Sequence, residues 1–195
     1  MAQEIEIEFK NLLTETEFER LLEAYPFPAE PITQTNHYFE TEDMRLKEHS
    51  SALRIREKSG TFTLTLKEPH PDGLLETHDE LTKEEASHWL RGEPIPKDNT
   101  KARLEKIGIA PAELKYFGKL TTERREIALG DDLLVLDYST YNGQEDYEVE
   151  LEVKSREKGE KTFSDLLNRY DIPKRRTPNK IERFYMHLKN LDGRQ

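Results

Sequence analysis

The 195-residue chain contains no cysteine, no long apolar run and no excess of positive charge. Without cysteine it forms neither disulfides nor thiolate metal sites, which is compatible with a reducing cytoplasm. No apolar run approaches the length of a membrane-spanning helix, and no signal-peptide pattern precedes the first predicted strand. A net charge of −10 argues against nucleic acid or an anionic membrane as the main partner. We therefore expect a cytoplasmic protein.

Several common motifs of catalytic sites are also missing. The chain has no Walker A loop, no G-x-G-x-x-G and no G-x-S-x-G, so the usual signals of nucleotide-binding loops and serine hydrolases are absent. The six histidines show no H-E-x-x-H or similar metal spacing. We interpret all six as surface or packing residues: His37, His49, His70, His78, His88 and His187.

Alternation of apolar and charged residues predicts about eight strands, mostly joined as hairpins. The first strand, residues 4–10, places Ile5, Ile7 and Phe9 opposite three glutamates and Lys10. The clearest hairpin joins residues 53–58 to residues 61–67 through a turn at Gly60. Further strands are predicted at 33–41, 74–81, 114–129, 133–139 and 147–153.

Helical periodicity is confined to segments between and after these strands. A helix is predicted at 14–25, a helical insertion at about 82–112, and C-terminal helices at about 160–190. The last helix is predicted to start at Thr177-Pro178 and to bury Ile181, Phe184, Tyr185 and Leu188. The expected fold class is α+β, mainly β, and the length fits one domain over residues 1–195.

The charged faces of the predicted strands are sorted by sign. Arg54, Arg56 and Lys58 share one strand face with Lys67 beside them, whereas the 147–153 strand carries Glu148, Glu150 and Glu152. An open sheet in water gains nothing from such sorting, whereas a closed barrel gains a polar lumen. We therefore expect an eight-stranded antiparallel β-barrel or tunnel with a charged lumen and helices packed outside.

Such a lumen suits a polyanion bound together with a divalent cation. Guanidinium and ammonium groups match the oxygens of several phosphates. Carboxylates that face each other need a cation, and Mg²⁺ is typically shared between one or two carboxylates and substrate phosphates. The chemistry that these residues predict is metal-assisted phosphoryl transfer from a short polyphosphate.

Glu6-x-Glu8-x-Lys10 resembles the E-x-E-x-K signature of the CYTH family, the triphosphate tunnel metalloenzymes. One such motif is weak, but the resemblance continues in order along nearly the whole chain, and within the family it is strongest to a branch found in Bacillus. It implies an eight-stranded antiparallel tunnel, Mg²⁺ or Mn²⁺ as cofactor, and hydrolysis of a triphosphate by water. The further blocks that carry it are Tyr38-Phe39, Leu53-Arg54-Ile55-Arg56, Thr65-Leu66-Lys67, Arg124, Asp137, Glu148-x-Glu150-x-Glu152 and Lys180.

The resemblance also implies roles for individual residues. The expected catalytic residues are Glu6, Glu8, Lys10 and Arg56. The expected metal ligands are Glu6, Glu8, Asp137, Glu148, Glu150 and Glu152. The expected phosphate clamp is Lys10, Arg54, Arg56, Lys67, Arg124 and Lys180.

Two further readings refine this set. Arg124 is preferred over Arg125 because Ile127 and Leu129 share the parity of Arg125 and should face the apolar side. Where the family often shows R-x-E-x-E, this chain has Glu76-Thr77-His78-Asp79-Glu80, which leaves the role of that strand open. We interpret Lys174-Arg175-Arg176 as a solvated basic run, although its place just before Lys180 leaves a role at the tunnel mouth open.

Three functions stay open at this point. The leading expectation is a divalent-metal-dependent triphosphatase that cleaves the terminal phosphoanhydride of inorganic triphosphate, thiamine triphosphate or a similar small triphosphate. A class IV-type adenylyl cyclase would use the same walls but needs a nucleotide-base pocket that the sequence does not show. A non-catalytic polyphosphate- or nucleotide-binding module would keep the basic clamp, although the two acidic strands favour an enzyme. Whether the chain forms a homodimer is left open.

Overall fold

The computed structural model describes the backbone of residues 2–192 and the side chains of residues 2–188. These residues form nine β-strands and six α-helices, which confirms a mainly-β α+β fold. In chain order the elements are β1 (Gln3–Glu6), β2 (Glu8–Leu13), α1 (Glu15–Ala24), β3 (Ile32–Thr41), α2 (Arg45–Glu48), β4 (Ala52–Lys58), β5 (Thr61–His70), β6 (Gly73–Leu81), α3 (Lys83–Leu90), α4 (Asp98–Lys106), a 3₁₀ turn (Pro111–Glu113), β7 (Leu114–Leu129), β8 (Asp132–Tyr141), β9 (Gln144–Glu152), α5 (Arg156–Arg169) and α6 (Lys180–Asp192).

The strands form one antiparallel sheet in the order β1-β6-β5-β4-β3-β7-β8-β9-β2. There are nine strands instead of the expected eight because the predicted 4–10 strand is interrupted at Ile7. Its first half pairs with β6 and its second half with β9, so one continuous alternating stretch serves two pairings. The two strands that end the order are therefore consecutive in the chain.

One compact unit runs up to Glu6 and continues over Gln34–Lys119. Leu53 and Ile55 of β4 and Leu64 of β5 are fully buried, because alternation places them on the face that α3 and α4 cover. Trp89 of α3 packs into this core. Arg54, Arg56 and Lys67 occupy alternate positions on the same two strands, so β4 and β5 keep one apolar and one charged face.

The second unit takes Ile7–Thr33 and the chain from Leu120 onward. Its core joins one face of β8 and β9 to α1 and α5, with Leu134, Leu136, Val149, Leu151, Phe18, Leu21, Phe163, Leu166 and Leu167 buried. Gly159 permits the close approach of α5, since a Cβ there would lie 2.8 Å from the Phe9 ring and 2.7 Å from Val153. The opposite faces of β7, β8 and β9 carry buried charged residues. The single-domain assignment over 1–195 stays a prediction.

Several element boundaries differ from the sequence-based expectation. The connection between the predicted strands 61–67 and 74–81 is shorter than expected, because β5 continues through Pro69, which pairs with Leu74 of β6. Proline has no backbone N–H to donate. It is tolerated at position 69 because the β4–β5 pairing ends at Lys67, so that no residue of β4 needs a donor there. The short helix α2 was not expected, and it begins beside the buried Glu40, whose carboxylate accepts the backbone N–H groups of Leu46 and Lys47.

The start predicted for the last helix was wrong. Helix α6 begins at Lys180, and the Asn179 N–H donates to the Glu182 carboxylate at 2.7 Å. Thr177 has another role, since its hydroxyl accepts the Leu12 N–H at 2.9 Å. Among the described residues, no helix is both long and apolar enough to cross a membrane.

The buried face of α6 is also more polar than expected. Phe184 and Tyr185 are buried as predicted, whereas Ile181 and Leu188 are only half-buried. Arg183 is buried on the same helix. The helix therefore carries a charged side chain into the protein beside its aromatic residues.

Candidate functional site

In the first unit, Glu76 is the acid around which the predicted basic residues gather. Lys67 lies directly across from it on β5, and the Lys67 ammonium contacts both Glu76 and Glu6. An Arg54 guanidinium nitrogen lies 3.9 Å from Glu76 Oε1. Burial would raise the pKa of Glu76, but Lys67 and Arg54 outweigh it and lower that pKa to about 2. Glu76 therefore stays ionised at neutral pH.

Arg56 shares this charged face with Arg54 because the two residues are separated by one position on β4. The Arg56 Nε donates to Asn36 Oδ1 at 3.2 Å, and these two residues are cross-strand neighbours on β4 and β3. Arg54 and Lys67 are half-buried, with 13% and 20% of their side chains exposed. Their nitrogens are thus oriented by protein acceptors while part of each side chain still reaches solvent.

In the second unit, Arg124 of β7 and Asp137 of β8 form a buried pair in one cross-strand row with Glu148 of β9. Arg124 donates through Nε to Asp137 Oδ1 at 2.8 Å and through Nη2 to Asp137 Oδ2 at 2.7 Å. The same Nη2 donates to Glu150 Oε2 at 2.6 Å. Arg125 points to the other face and donates to the carbonyls of Pro28 and Ala29. Only Arg124 of this neighbouring pair therefore joins the acidic residues.

Lys180 reaches the same row from the first residue of α6. Its ammonium lies 2.8 Å from Asp137, 3.1 Å from Glu148 and 2.5 Å from Glu150, and only 11% of the side chain is exposed. The structure thus brings together Arg124, Asp137, Glu148, Glu150 and Lys180. We call these five residues the acidic cluster. The second unit is not a purely acidic wall, since two of the predicted phosphate-binding cations lie among the acids.

The pKa values of the acidic cluster are pulled apart by burial and by its cations. Burial raises the pKa of Glu148 to about 7. The positive charges of Lys180 and Arg183 offset this effect only partly, and the negative charge of Glu150 adds to it. Burial would also raise the pKa of Glu150, but Lys180 and Arg124 hold that pKa well below its ordinary value. Burial would lower the pKa of Lys180, yet Asp137, Glu148 and Glu150 keep it well above the ordinary value. Glu150 therefore stays ionised at neutral pH, whereas Glu148 titrates near it.

Lys10, Glu8 and Glu152 lie beside this cluster in the strand register. Lys10 pairs with Glu150 and Glu8 with Glu152 across β2 and β9. The Lys10 ammonium donates to Glu8 Oε1 at 2.6 Å and to Asn179 Oδ1 at 2.5 Å. Glu152 Oε1 lies 3.8 Å from Arg124 Nη1. These three predicted site residues therefore lie at the margin of the acidic cluster.

Arg183 is a buried residue of this site that the sequence reasoning missed. It forms a fork with Asp146, through Nε at 2.9 Å and Nη2 at 3.1 Å, and its Nη2 also lies 2.5 Å from Glu148 Oε2. Its Nη1 donates to the Pro178 carbonyl just before α6 at 2.7 Å. The available signal was the spacing of Lys180 and Arg183, which puts two cations on neighbouring positions of one helix face.

The basic run was also misread at Arg175. This side chain forms a bidentate pair with the buried Glu17 of α1, at 2.6 and 2.9 Å, and donates to the Leu12 carbonyl at 2.9 Å. The pair connects α1 to the segment before α6. Arg175 is therefore a structural residue, while Lys174 and Arg176 are exposed.

The acidic cluster suits a divalent metal ion by the chemistry of its donors. Asp137, Glu148 and Glu150 supply hard oxygen donors of the kind that Mg²⁺ and Mn²⁺ prefer. Burial is the main cause of the raised pKa of Glu148, and a divalent ion bound there would favour its ionised form. The residues present therefore fit such an ion.

The CYTH domain profile matches residues 4–185, and the chain therefore belongs to the CYTH family. Members of this family generally use divalent metal ions. The chain is 46% identical over 186 residues to the Bacillus subtilis (strain 168) protein named "Putative triphosphatase YjbK", covering 95% of this chain and 96% of that protein. The resemblance to a Bacillus branch of the family is thereby confirmed.

Solved structures agree with this assignment. A protein from Bacillus halodurans, described as a putative adenylate cyclase, has a TM-score of 0.90 and 45% identity, with 95% of this chain and 100% of that chain covered. A protein from Hippeastrum, described as a putative adenylyl cyclase that reveals a dominant triphosphatase activity, has a TM-score of 0.77 and 25% identity, covering 94% and 96% of the two chains.

Proposed function

We propose that this chain is a divalent-metal-dependent triphosphatase that hydrolyses the terminal phosphoanhydride of a small triphosphate, such as inorganic triphosphate or thiamine triphosphate. The observation that carries the proposal is the buried position of Lys180 and Arg124 among Asp137, Glu148 and Glu150. The cations proposed to bind phosphate thus lie in contact with the acids proposed to bind metal. Metal-assisted phosphoryl transfer requires that juxtaposition.

The proposed roles follow from the chemistry of each side chain. Arg54, Arg56, Lys67, Lys10, Arg124 and Lys180 would bind phosphate oxygens. Asp137, Glu148 and Glu150, with Glu152 and the E-x-E-x-K glutamates, would hold Mg²⁺ or Mn²⁺. When bound, the ion supplies positive charge that neutralises the triphosphate and polarises its phosphoryl oxygens. Glu6 and Glu8 would orient the attacking water.

The proposal includes closure of the sheet into the family's tunnel with a charged lumen. Two facts support it: the strands that end the sheet order, β1 and β2, are consecutive in the chain, and the chain belongs to the CYTH family. Such a tunnel would account for the separation of charged from apolar faces on β4 and β5.

The test is a phosphate-release assay with tripolyphosphate, thiamine triphosphate and ATP, each with Mg²⁺ or Mn²⁺. We expect turnover of at least one triphosphate, loss of turnover in excess EDTA, and loss in the Glu6→Gln/Glu8→Gln double variant. Glu23→Gln, an exposed change on α1, should retain the activity. Full turnover in EDTA would contradict the proposal.

Adenylyl cyclase is the second candidate, because the Bacillus halodurans relative carries that description at 45% identity. The same reactions with ATP distinguish the two functions by their products. A triphosphatase releases orthophosphate, whereas a cyclase forms cyclic AMP and pyrophosphate. Tight triphosphate binding without any product would instead identify a binding module.

A further inference from the structure

The strand whose role the sequence left open, residues 76–80, contributes to a second cluster of metal-binding side chains. His78 Nε2 lies 3.2 Å from Glu4 Oε1 and 3.5 Å from Glu76 Oε2. Across the described residues, this is the only group of three His or acidic side chains whose donor atoms all lie within 4.8 Å of one another. All three belong to the first unit, and none belongs to the acidic cluster.

The strand register explains why these side chains converge. Glu4 of β1 lies directly opposite Glu76 of β6, and His78 lies two positions further along β6 on the same face. Two glutamates directly opposite each other repel, which destabilises a sheet unless a positive charge lies between or beside them. The Lys67 ammonium contacts Glu76 through Oε1, so its other oxygen, Oε2, is the one that faces His78.

His78 is also oriented in the way that metal-binding histidines usually are. Its Nδ1 lies 3.0 Å from the hydroxyl of Thr65, a buried residue directly across from it on β5. A hydrogen bond at one ring nitrogen fixes the ring and leaves the other nitrogen for a ligand. Here that other nitrogen is Nε2, which faces the two carboxylates.

Glu76 is the buried member of this group, with only 4% of the residue exposed. Lys67 contacts Oε1 as an ion pair, whereas Oε2 lies 3.5 Å from His78 Nε2. A cation held between Oε2 and the imidazole would compensate more of the charge of this buried carboxylate.

The spacing of the donors fits a transition-metal ion. Ligands about 2.1 Å from a tetrahedral ion lie roughly 3.4 Å from each other, and the observed separations from His78 Nε2 are 3.2 and 3.5 Å. An imidazole with two carboxylates favours Zn²⁺ or Mn²⁺ over Mg²⁺, which binds mostly oxygen ligands. Three protein ligands leave a coordination position open for water or a phosphate oxygen.

We propose that Glu4, Glu76 and His78 form a second metal site, which binds Zn²⁺ or Mn²⁺ independently of the acidic cluster. Glu4 is mostly exposed, so the ion would enter from solvent. The interpretation of His78 as a surface or packing histidine is replaced by that of a ligand.

The test is calorimetric titration of the tag-free protein with Zn²⁺ alone, without triphosphate, so that it does not depend on the proposed function. We expect one Zn²⁺ equivalent to be lost in His78→Gln and in Glu4→Gln. Glu4 is exposed on a terminal strand, so its variant should fold even where that of His78 does not. Glu80→Gln, the same change on an exposed residue of the same strand, should titrate as the unaltered protein does. Titration of both ligand variants like the unaltered protein would overturn the proposal.

Two more measurements sharpen the result. Thr65→Val should weaken Zn²⁺ binding by about 10–100-fold, the usual cost of losing the residue that orients a metal-bound histidine. Substoichiometric Mn²⁺ should broaden the imidazole NMR signals of His78 before those of His70, which lies at the far end of the β5–β6 hairpin. Equal broadening of the two histidines would mean unspecific binding and would reject the site.

Discussion

Asp137 and Glu148 lie directly opposite each other on β8 and β9, and both side chains are completely buried. Two carboxylates at such a position repel strongly in a place that water does not screen. The Lys180 ammonium lies within 3.1 Å of both. Arg124 also pairs with Asp137 and Arg183 with Glu148, but Lys180 is the cation that contacts both carboxylates, and this contact leads to the first prediction.

Lys180→Ala should destabilise the metal-free protein and make its stability respond more strongly to metal. Removing one partner of a buried ion pair typically costs about 3 kcal/mol or more, or roughly 6 °C or more in melting temperature for a chain of this size. Added Mn²⁺ should recover part of the loss because it replaces the missing positive charge. Thermal melts with and without Mn²⁺ measure both effects.

The control is Lys174→Ala, which removes the same charge from an exposed position. It should change the melting temperature little. We also expect Lys180→Ala to weaken triphosphate binding or turnover more than Lys174→Ala does. Equal behaviour of the two variants would show that Lys180 is unimportant both to the cluster and to the substrate.

Arg56→Ala should lose activity before it loses stability. An exposed ion pair contributes about 0–1 kcal/mol to folding, whereas removing a group that stabilises a transferring phosphoryl group costs on the order of 100-fold in rate. Steady-state kinetics and a thermal melt on the same preparation separate the two cases. Lys101→Ala, an exposed change on α4, serves as the control. Unchanged kinetics with a lowered melting temperature would assign Arg56 to the scaffold.

Strand alternation allowed most of the sheet to be predicted because its signal is local. The range of β7 and the orientation of Arg124 and Arg125 follow from which neighbours share a parity. The interruption at Ile7 could not be predicted in the same way. Both halves of that stretch alternate without a break, and only their non-local partners, β6 and β9, distinguish them.

Buried charges were the main feature that sequence patterns missed. Arg175 was interpreted as solvated, and Arg183 was not considered. A charged residue is buried only when another residue of the fold pairs with it, and a local sequence pattern does not show that partner. Those partners, Glu17 and Asp146, lie 158 and 37 positions away in the chain. The role proposed for His78 could not be predicted for a related reason, since Glu4 is 74 positions away and no short metal-binding spacing connects them.

Arg183→Lys should lower turnover more than it lowers stability. The lysine keeps the positive charge but cannot form the fork to Asp146 while also reaching Glu148 and the Pro178 carbonyl. The start of α6, and with it Lys180, would then be less precisely held. A misplacement of this kind should cost about 10–100-fold in kcat, with a smaller change in KM.

The comparison of three variants identifies Arg183 as a positioning residue. Arg183→Ala should lose both activity and stability, because it removes the guanidinium that pairs with Asp146 and Glu148. Arg169→Lys, an exposed change on α5, should alter neither. A lysine variant with full kcat would show that Arg183 contributes charge alone and does not position α6.

Glu17→Gln should destabilise the protein at neutral pH and much less in acid. The Glu17 carboxylate accepts both Arg175 nitrogens and the Thr14 N–H at the start of α1, and its loss should cost about 1–3 kcal/mol. The hydrogen bond from Arg175 lowers the pKa of Glu17 below the ordinary 4.5, although burial opposes it. A carboxylate with a lowered pKa in the folded state stabilises the protein fully above its unfolded pKa, and this contribution disappears as the pH falls through the folded value.

The difference in unfolding free energy between the unaltered protein and Glu17→Gln should therefore be constant from about pH 6 to 8 and shrink below about pH 4. Urea unfolding across that pH range measures it. Glu23→Gln changes an exposed residue of the same helix and should show a small difference that varies little with pH. A Glu17→Gln difference that stays constant into acid would mean that the ion pair with Arg175 contributes nothing.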